Sequence, residues 1–261
     1  MTVAVADVDE SEPSAGAAGR RAPIPWQEAE VVGLIDEAPD TVSLQLRLQV
    51  DAGFLPGQYY NVRMPIPGKP RPVQRAYSVA SSPYPDSSVI EIGVREVPGG
   101  LVSPRLVKDY AIGDKLEVRG PYGRFVWNEE MGGPVLLVGA GSGLVPLMCI
   151  IRYNLARGLE VPMAMLCSAM DYEHALYRAE LAEIQEATSW LKVVHTVTRD
   201  PAETRVTYHR RIDKEMLADV MADLSPRLAY LCGPPAMVEM AADSLADLGL
   251  APDQIRTEKY D

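Results

Sequence analysis

The alternation of polar and apolar residues changes character once along the 261-residue chain, between residues 128 and 133. Up to residue 127, short segments such as TVSLQLRLQV, SVIEIGVREV and DKLEVRG alternate polar and apolar residues over the length of a strand. Turns rich in Pro and Gly separate these segments. Many short strands at this spacing predict an antiparallel β-barrel.

After residue 133, apolar strand-like segments (PVLLVG, VPMAMLC, LKVVHTVT, RLAYLCG) alternate with segments of helical periodicity. The helical segments are LVPLMCIIRYNLARG, YEHALYRAELAEIQEA, KEMLADVMADL and AMVEMAADSLADLG. This order predicts a doubly wound parallel sheet with helices on both faces. We therefore predict a β barrel plus α/β architecture, with an acidic, disordered tail at 1–22, a barrel domain at 23–130 and an α/β domain at 131–261.

Composition argues against several kinds of partner and site. The net charge of −11 disfavours nucleic acid, and no apolar run reaches the ~18 residues of a membrane span. Cys149, Cys167 and Cys232 include no CxxC pair, so we expect no disulfide framework and no metal site. Iron–sulfur clusters usually need about four thiolates, so a one-electron carrier is expected on another molecule. We expect a cytoplasmic protein without membrane insertion.

The first motif with chemical content is Arg75-Ala76-Tyr77-Ser78, which follows a Pro-rich loop. It combines a cation for a phosphate, an aromatic ring that could pack on an isoalloxazine, and a hydroxyl for the reactive nitrogen. Alternation along a strand places Arg75 and Tyr77 on one face and turns Ser78 to the other, unless the strand ends there. By itself such a string is more often an edge strand without this role.

The second motif is the glycine-rich run Gly99-Gly100-Leu101-Val102-Ser103, which leads into a helical stretch. Glycines let a backbone approach a phosphate closely, and a helix start offers free N–H groups. The alternative is a plain helix start, with Ser103 as N-cap and a proline at the first helical position. A third motif, GPYGRF at 120–125, is by itself only a barrel corner.

The α/β half opens with a glycine-rich loop between its first strand and first helix, where a pyrophosphate sits in α/β sheets. The loop contains Gly141, Ser142 and Gly143 and ends at Pro146. Leu144 replaces the last glycine of the G-x-G-x-x-G fingerprint. The loop therefore favours a nicotinamide nucleotide that binds and leaves over a resident flavin.

Further along, Thr198 and Arg199 open a basic segment in an otherwise acidic chain. Arginines accommodate a ribose 2′-phosphate, which supports NADPH with NADH still possible, although solvated loop arginines are an equal alternative. Cys232-Gly233-Pro234 follows the strand RLAYL and is predicted to face the ligand crevice. A cysteine in such a place is also commonly just a small buried hydrophobe.

Taken in order, the motifs RAYS, GGLVS, GPYGRF, GAGSGLVP, CGPPAM and a terminal EKY resemble the ferredoxin-NADP reductase superfamily, over residues 26–261. The resemblance implies an FAD-binding barrel and an NAD(P)-binding α/β domain. It implies catalytic roles for Ser78, Cys232, Glu258 and Tyr260. The cofactor-binding residues it implies are Arg75, Ala76, Tyr77, Ser78, Gly93, Val94, Arg95, Gly100, Leu101, Val102, Ser103, Gly141, Ser142, Gly143, Pro146, Thr198, Arg199, Cys232, Gly233, Pro234 and Tyr260.

Within these implied roles, Arg75 binds flavin phosphate, Tyr77 packs on the isoalloxazine, and Ser78 lies near N5. Glu258 and Cys232 lie by the nicotinamide, and Tyr260 covers the other face of the flavin. Met170 stands where relatives often carry arginine, and threonine replaces serine before Arg199, which leaves the choice of nucleotide open.

The resemblance predicts an NAD(P)H oxidoreductase that passes electrons from FAD to a separate ferredoxin, oxygenase or haem protein. Lys69, Arg71 and Lys108 are candidate docking charges, although solvated surface is the simpler interpretation. The alternatives are a reductase that releases reduced flavin and an electron-transfer subunit without turnover of its own.

Overall fold

The computed structural model describes residues 24–260, so the predicted tail lies outside the described residues. The N-terminal half is an antiparallel six-stranded sheet in the order β4-β3-β6-β1-β2-β5. Its strands are β1 (Gln27–Ala38), β2 (Thr41–Leu48), β3 (Tyr59–Met64), β4 (Val73–Ser78), β5 (Val89–Arg95) and β6 (Lys115–Tyr122). One short helix, α1 (Ser103–Lys108), follows β5.

The two ends of this strand order come together beyond β4. Val79 forms an antiparallel bridge with Ile92, and the Ala80 amide donates to the Glu91 carbonyl at 2.7 Å. Alternate residues of the strands, such as Leu44, Leu46, Ile90 and Ile92, are fully buried in one core cluster. The half-buried alternation of the sequence is thus the inside and outside of a small barrel.

The C-terminal half is a five-stranded parallel sheet in the order β11-β10-β7-β8-β9. The strands are β7 (Val135–Ala140), β8 (Met163–Ala169), β9 (Leu191–Val197), β10 (Leu228–Gly233) and β11 (Ile255–Lys259). The helices are α2 (Leu144–Arg157), α3 (Arg178–Ala187), α4 (Lys214–Leu224) and α5 (Pro235–Asp247). Along β7, Val135 and Leu137 face the core under α2 and α3, whereas Leu136 and Val138 face the core under α4 and α5.

The predicted architecture, a barrel followed by a doubly wound sheet, is confirmed. Helix α4 has the predicted bounds, and α2 ends at Gly158, whose left-handed backbone (φ 60°) closes the helix.

The segment predicted as a helix from residue 172 becomes helical only at Arg178, because Asp171 binds the His174 amide in a turn and Tyr177 takes a positive φ of 56°. The predicted domain boundary at 130 falls in a short 3₁₀ helix, Glu129–Met131, and stays a prediction.

Candidate functional site

The strand order of the parallel sheet reverses between β7 and β10, because β8 and β9 lie on one side and β11 on the other. In open α/β sheets, ligands bind in the crevice outside the carboxyl ends of the strands at this reversal. The glycine-rich loop follows β7, and Cys232-Gly233-Pro234 ends β10. Two of the predicted motifs therefore meet at the place where this fold binds ligands.

The glycine-rich loop packs directly on the end of β10. A Cβ added to Gly143 would lie 2.2 Å from the Cys232 carbonyl oxygen, so no side chain fits there. Gly141 has a left-handed φ of 54°, which favours glycine. Pro146 is buried in the first turn of α2. The glycines thus bring the loop backbone against Cys232 and leave its other side facing the crevice.

Tyr260 lies on this loop. Its hydroxyl donates to the Ala140 carbonyl and accepts the Gly143 N–H, with an N to O distance of 2.5 Å for the second bond. Burial raises the pKa of this phenol to about 12, with opposing hydrogen bonds from Ser142 and Gly143. The predicted terminal aromatic is therefore docked, and it holds a loop N–H group that a bound phosphate would need.

Cys232 and Glu258 are neighbours across the sheet, because β10 and β11 pair in parallel with these two residues in register. Burial raises the pKa of Glu258 to about 7 and that of the Cys232 thiol well above its usual value. Among the described residues, Glu258 Oε2 is buried and has no hydrogen-bond partner. A buried polar atom without a partner calls for an explanation, and a ligand that donates to it is one.

On the barrel side, Tyr59 and Tyr122 form a tilted aromatic pair with ring centroids 5.9 Å apart. Burial and the negative charge of Glu258 both raise the pKa of Tyr59, so this ring lies near Glu258. Tyr59 is not among the residues predicted from the sequence, which shows only a turn at Pro56-Gly57 before it. In the structure, Gly57 has a φ of 98° and a Cβ position only 1.9 Å from the Phe125 carbonyl oxygen, so the turn requires glycine.

The RAYS motif forms β4 and pairs with β3, with Ser78 opposite Tyr59 and Tyr77 opposite Tyr60. Tyr77 packs against the barrel core, and burial raises its pKa above the usual value. Arg75 donates to the Gln74 carbonyl at 2.7 Å and makes no salt bridge within residues 24–260. Ala76 is exposed. Ser78 is thus placed beside the crevice, and Arg75 carries an uncompensated positive charge.

Arg95 joins the two halves of the site. Its Nε donates to Asp40 Oδ2 at 2.8 Å, and its Nη1 lies 3.5 Å from the position that a Cβ on Gly141 would take. Burial raises the pKa of Asp40, but hydrogen bonds from Arg95 and Thr41 outweigh it and lower that pKa. Asp40 was not predicted as a site residue, because its only sequence signal is that of a turn between β1 and β2.

The two residues before Arg95, which the resemblance implies as cofactor-binding, face the protein. Val94 is buried in the barrel core. A Cβ on Gly93 would lie 2.4 Å from Val145 Cγ2 of α2, so Gly93 lies in the contact between the domains. A role of either residue toward flavin stays a prediction.

In the second motif, Ser103 does not cap α1. Helix α1 begins at Ser103 itself, and the Ser103 hydroxyl accepts the Val97 N–H at 3.1 Å. The N-cap interpretation is therefore wrong, because the hydroxyl instead closes the preceding loop. A Cβ on Gly100 would lie 2.9 Å from the Val97 carbonyl oxygen, which keeps this loop tight. Val102 is buried, whereas Leu101 is exposed.

Thr198 and Arg199 follow β9, at the outer part of the same sheet edge. The Arg199 amide donates to the Met170 carbonyl at 2.7 Å, so the loops after β8 and β9 are joined.

The basic segment behind Thr198 and Arg199 is largely paired. Arg205 binds Glu203 and lies over the Tyr172 ring at 4.0 Å, and Arg210 binds Asp213 and Glu215. Arg199 makes no salt bridge among the residues that the structure describes.

Comparison with known proteins matches residues 28–127 to the oxidoreductase FAD-binding domain and residues 137–243 to the oxidoreductase NAD-binding domain. The ferredoxin–NAD(P)(+) reductase component of the Pseudomonas putida naphthalene 1,2-dioxygenase system is 31% identical over 88% of this chain and 67% of its own length. The propane 2-monooxygenase reductase component of Mycolicibacterium goodii is 29% identical over 99% of the chain and 73% of its own length.

A solved structure of a cytochrome P450 reductase from Amycolatopsis superposes with a TM-score of 0.77, at 30% identity, over 92% of this chain and 71% of that one. The chain belongs to the ferredoxin-NADP reductase superfamily. It is an oxidoreductase of the FAD- and NAD(P)-binding type.

The described residues fit both cofactors of this superfamily. The unpartnered Glu258 Oε2 suits the amide N–H of a nicotinamide, and the unpaired Arg75 suits a phosphate. The Gly141–Gly143 loop, which has no room for a side chain at Gly143, suits a pyrophosphate close to the backbone. Within residues 24–260 no group of three or more His, Cys, Asp or Glu side chains is placed to hold a metal ion. No helix in this range has the length and apolar character to cross a membrane.

Proposed function

We propose that this chain takes a hydride from NADPH or NADH onto FAD and passes the electrons to a separate acceptor, such as a ferredoxin, an oxygenase component or a haem protein. The observation that carries the proposal is the crevice in which Cys232 and the unpartnered Glu258 border the barrel residue Tyr59. The similarity to reductase components of oxygenase systems supports the same conclusion.

On the barrel side, Arg75 would hold the flavin phosphate, Tyr77 and Ser78 would contact the isoalloxazine, and the loop at 100–103 would hold the pyrophosphate. Bound FAD would supply the chemistry, since it accepts a hydride and releases single electrons. The protein contributes by orienting the reactants. Holding two reactants together lowers the activation barrier by up to about 7–11 kcal/mol in the best cases.

On the nucleotide side, the backbone of Gly141–Gly143 and the guanidinium of Arg95 would bind the pyrophosphate of the nicotinamide nucleotide. Arg95 comes from the barrel domain, so it would bind only where the two domains meet correctly. For the nucleotide to enter, the Tyr260 hydroxyl must leave the Gly143 N–H. Glu258 Oε2 would accept the carboxamide N–H, and Cys232 would pack beside the ring.

The structure sharpens the expected choice between NADPH and NADH. Arg205 and Arg210 are paired with acids, whereas Arg199 and Arg211 make no salt bridge among the described residues and carry the charge available to a 2′-phosphate. We therefore propose that Arg199 contributes to NADPH binding and that NADH is also used. We also propose a cytoplasmic location, which the three free, buried cysteines support because disulfides are rare there.

The test is anaerobic stopped-flow reduction of the FAD-loaded protein by NADPH and by NADH in parallel, monitored by bleaching of the flavin. A ferredoxin or cytochrome c is then added under the same conditions. We expect fast bleaching and reoxidation by the acceptor. No bleaching with either nucleotide would overturn the proposal, and loss of FAD on gel filtration would instead favour a reductase that releases reduced flavin.

Glu258→Gln keeps the size of the side chain and removes its charge, so it is the sharpest variant of the site. We expect about a 10- to 100-fold lower rate constant for bleaching at saturating nucleotide, because a hydrogen bond to a charged group contributes about 1.5–3 kcal/mol. Glu239→Gln, on the exposed face of α5, is the matched control and should bleach as the parent does.

A further inference from the structure

Helix α2 lies between the nucleotide loop and the barrel. The loop at 141–143 leads directly into it, and one face of the helix rests on the barrel. That face contains Val145, Cys149 and Arg152, which are spaced four and three residues apart as one helical face requires. Val145 packs over Gly93 of β5, and Cys149 Sγ donates to the Ser81 carbonyl at 2.9 Å.

At the end of this face, Arg152 binds two carboxylates that come from different domains. Its Nη1 donates to Glu91 Oε1 of barrel strand β5 at 2.8 Å. Its Nε and Nη2 form a bidentate pair with Glu180 of α3, at 2.8 and 2.6 Å. The exposed fractions of the Arg152 and Glu91 side chains are only 16% and 6%, so this pair is shielded from solvent.

The surroundings of the pair are equally tight. The Arg152 guanidinium lies 5.2 Å from the ring centroid of Tyr177, which is buried against the barrel. A Cβ on Gly93 would lie 3.2 Å from the Tyr177 hydroxyl and 2.4 Å from Val145, so β5 needs glycine at this contact. Gln45 donates to the second oxygen of Glu91. Every polar group of the ion pair is thus held in one geometry.

We propose that Arg152, through Glu91, is a positioning residue that fixes α2 against the barrel and thereby aligns the nucleotide loop with the flavin side of the crevice. Arg152 follows Gly143 by nine residues, so it acts along roughly 13 Å of helix. A helix is stiff over two to three turns, and a shift of about 1 Å in the position of reacting groups can cost ~100-fold in rate. The inference rests on the proposed hydride transfer and adds a residue outside the crevice to it.

Glu91→Gln and Glu180→Gln separate positioning from general stability. Both are isosteric and both remove one negative charge beside Arg152, but only the first weakens the link between the domains. We expect Glu91→Gln and Arg152→Met to lower the flavin-reduction rate constant at saturating nucleotide by about 10- to 100-fold. Glu180→Gln should lower it less than about threefold, and Arg47→Met, an exposed pair within the barrel, should not change it.

Cys149 provides a second readout that does not depend on activity. Its thiol is buried in the α2 contact, whereas Cys167 is buried inside the nucleotide domain. We expect N-ethylmaleimide to label Cys149 about tenfold faster in Glu91→Gln than in the parent, with Cys167 labelling unchanged, as local opening of the contact requires. Peptide mass spectrometry measures both rates in one sample.

The outcomes are distinct. Equally faster labelling of Cys149 and Cys167 would show general destabilisation and overturn the proposal. Labelling and flavin-reduction rates in Glu91→Gln that equal those of the parent would also overturn it. If the parent protein itself failed to reduce flavin, the proposed function would fail, while the labelling rates would still test whether Glu91 and Arg152 hold the domains together. Should Arg152→Met not fold, Glu91→Gln carries the test alone.

Discussion

The contact between the domains and the nucleotide crevice each contain a glutamate with a buried carboxylate oxygen, and the two carboxylates have opposite surroundings. Glu91 in the contact accepts hydrogen bonds from Arg152 and Gln45. Glu258 in the crevice has, among residues 24–260, no partner for Oε2, and burial raises its pKa to about 7. A paired carboxylate stabilises the contact between the domains, whereas an unpaired one retains its capacity to bind a ligand.

The two carboxylates also differ in how the free-energy cost of burying a charge is offset. Buried charges are tolerated when they are paired, and removing one partner leaves the other uncompensated. The unpaired Glu258 instead responds through its pKa, as a desolvated acid does. Removal of a charge from the domain contact should therefore harm stability as well as function, whereas removal of the Glu258 charge from the crevice should harm function without a loss of stability.

The largest expected effect is on the domain contact. Arg152→Met leaves Glu91 buried without its cation, and we expect the free energy of unfolding to fall by about 3–5 kcal/mol. Urea unfolding followed by circular dichroism measures the change. Arg47→Met removes an ion pair that is about half exposed and should cost less than about 1 kcal/mol. Equal losses of unfolding free energy in the two variants would show that the buried ion pair contributes no more to stability than the exposed one.

The second effect is the pH dependence of stability that Glu258 introduces. The carboxyl titrates near 4.5 in the unfolded chain and near 7 in the folded one. Between these pH values the folded chain binds a proton that the unfolded chain has lost, so a rise in pH favours unfolding. Glu258 should therefore destabilise the fold increasingly from pH 4.5 to 7, and no further above pH 7.

Glu258→Gln isolates this contribution. Relative to the parent, the variant should gain about 1–3 kcal/mol of stability as pH rises from 5 to 8, since one unit of pKa shift corresponds to about 1.4 kcal/mol. Urea unfolding at the two pH values measures the gain. A parallel dependence in parent and variant would mean that the carboxylate finds a partner in solution and that the contrast with Glu91 is wrong.

Much of the fold could be predicted because its signals are local. The apolar runs of the parallel sheet and the periodicity of residues 214–224 gave correct elements, since a strand buried on both faces has few alternatives. The first barrel strand, Gln27–Ala38, was not recognised, because a register shift between Val31 and Gly33 breaks its alternation and leaves Leu34 and Ile35 exposed. The start of α3 was placed too early, because the positive φ of Tyr177 has no sequence signal at a tyrosine.

The site was less predictable, because it depends on pairing between distant segments. Cys232 and Glu258 were both selected, but their adjacency follows from the register of β10 with β11. Asp40, which holds Arg95, and Tyr59, which borders Glu258, lie in the barrel and were not selected. Local motifs thus identify residue types for a ligand, whereas the partners that orient them come from tertiary structure.

The smallest expected effect concerns a crevice group that already has a partner within the protein. The Gly143 N–H is held by the Tyr260 hydroxyl, so a nucleotide phosphate competes with the chain for it. Tyr260→Phe removes both hydrogen bonds of the hydroxyl, to Ala140 and to Gly143. Only the bond to the Gly143 N–H competes with the phosphate, and its loss, about 1 kcal/mol, should tighten the binding of NADP⁺ about fivefold. Calorimetric titration of the oxidised protein measures the change in Kd.

Tyr153→Phe is the matched control for this substitution. It removes a phenol hydroxyl that binds Glu129, away from the nucleotide loop, and should leave the Kd as in the parent. Weaker nucleotide binding in Tyr260→Phe would mean that the hydroxyl orders the loop for its ligand and does not compete with it. The crevice would then resemble the Glu91–Arg152 pair, whose polar atoms are bound within the protein, and the functional contrast would rest on Glu258 alone.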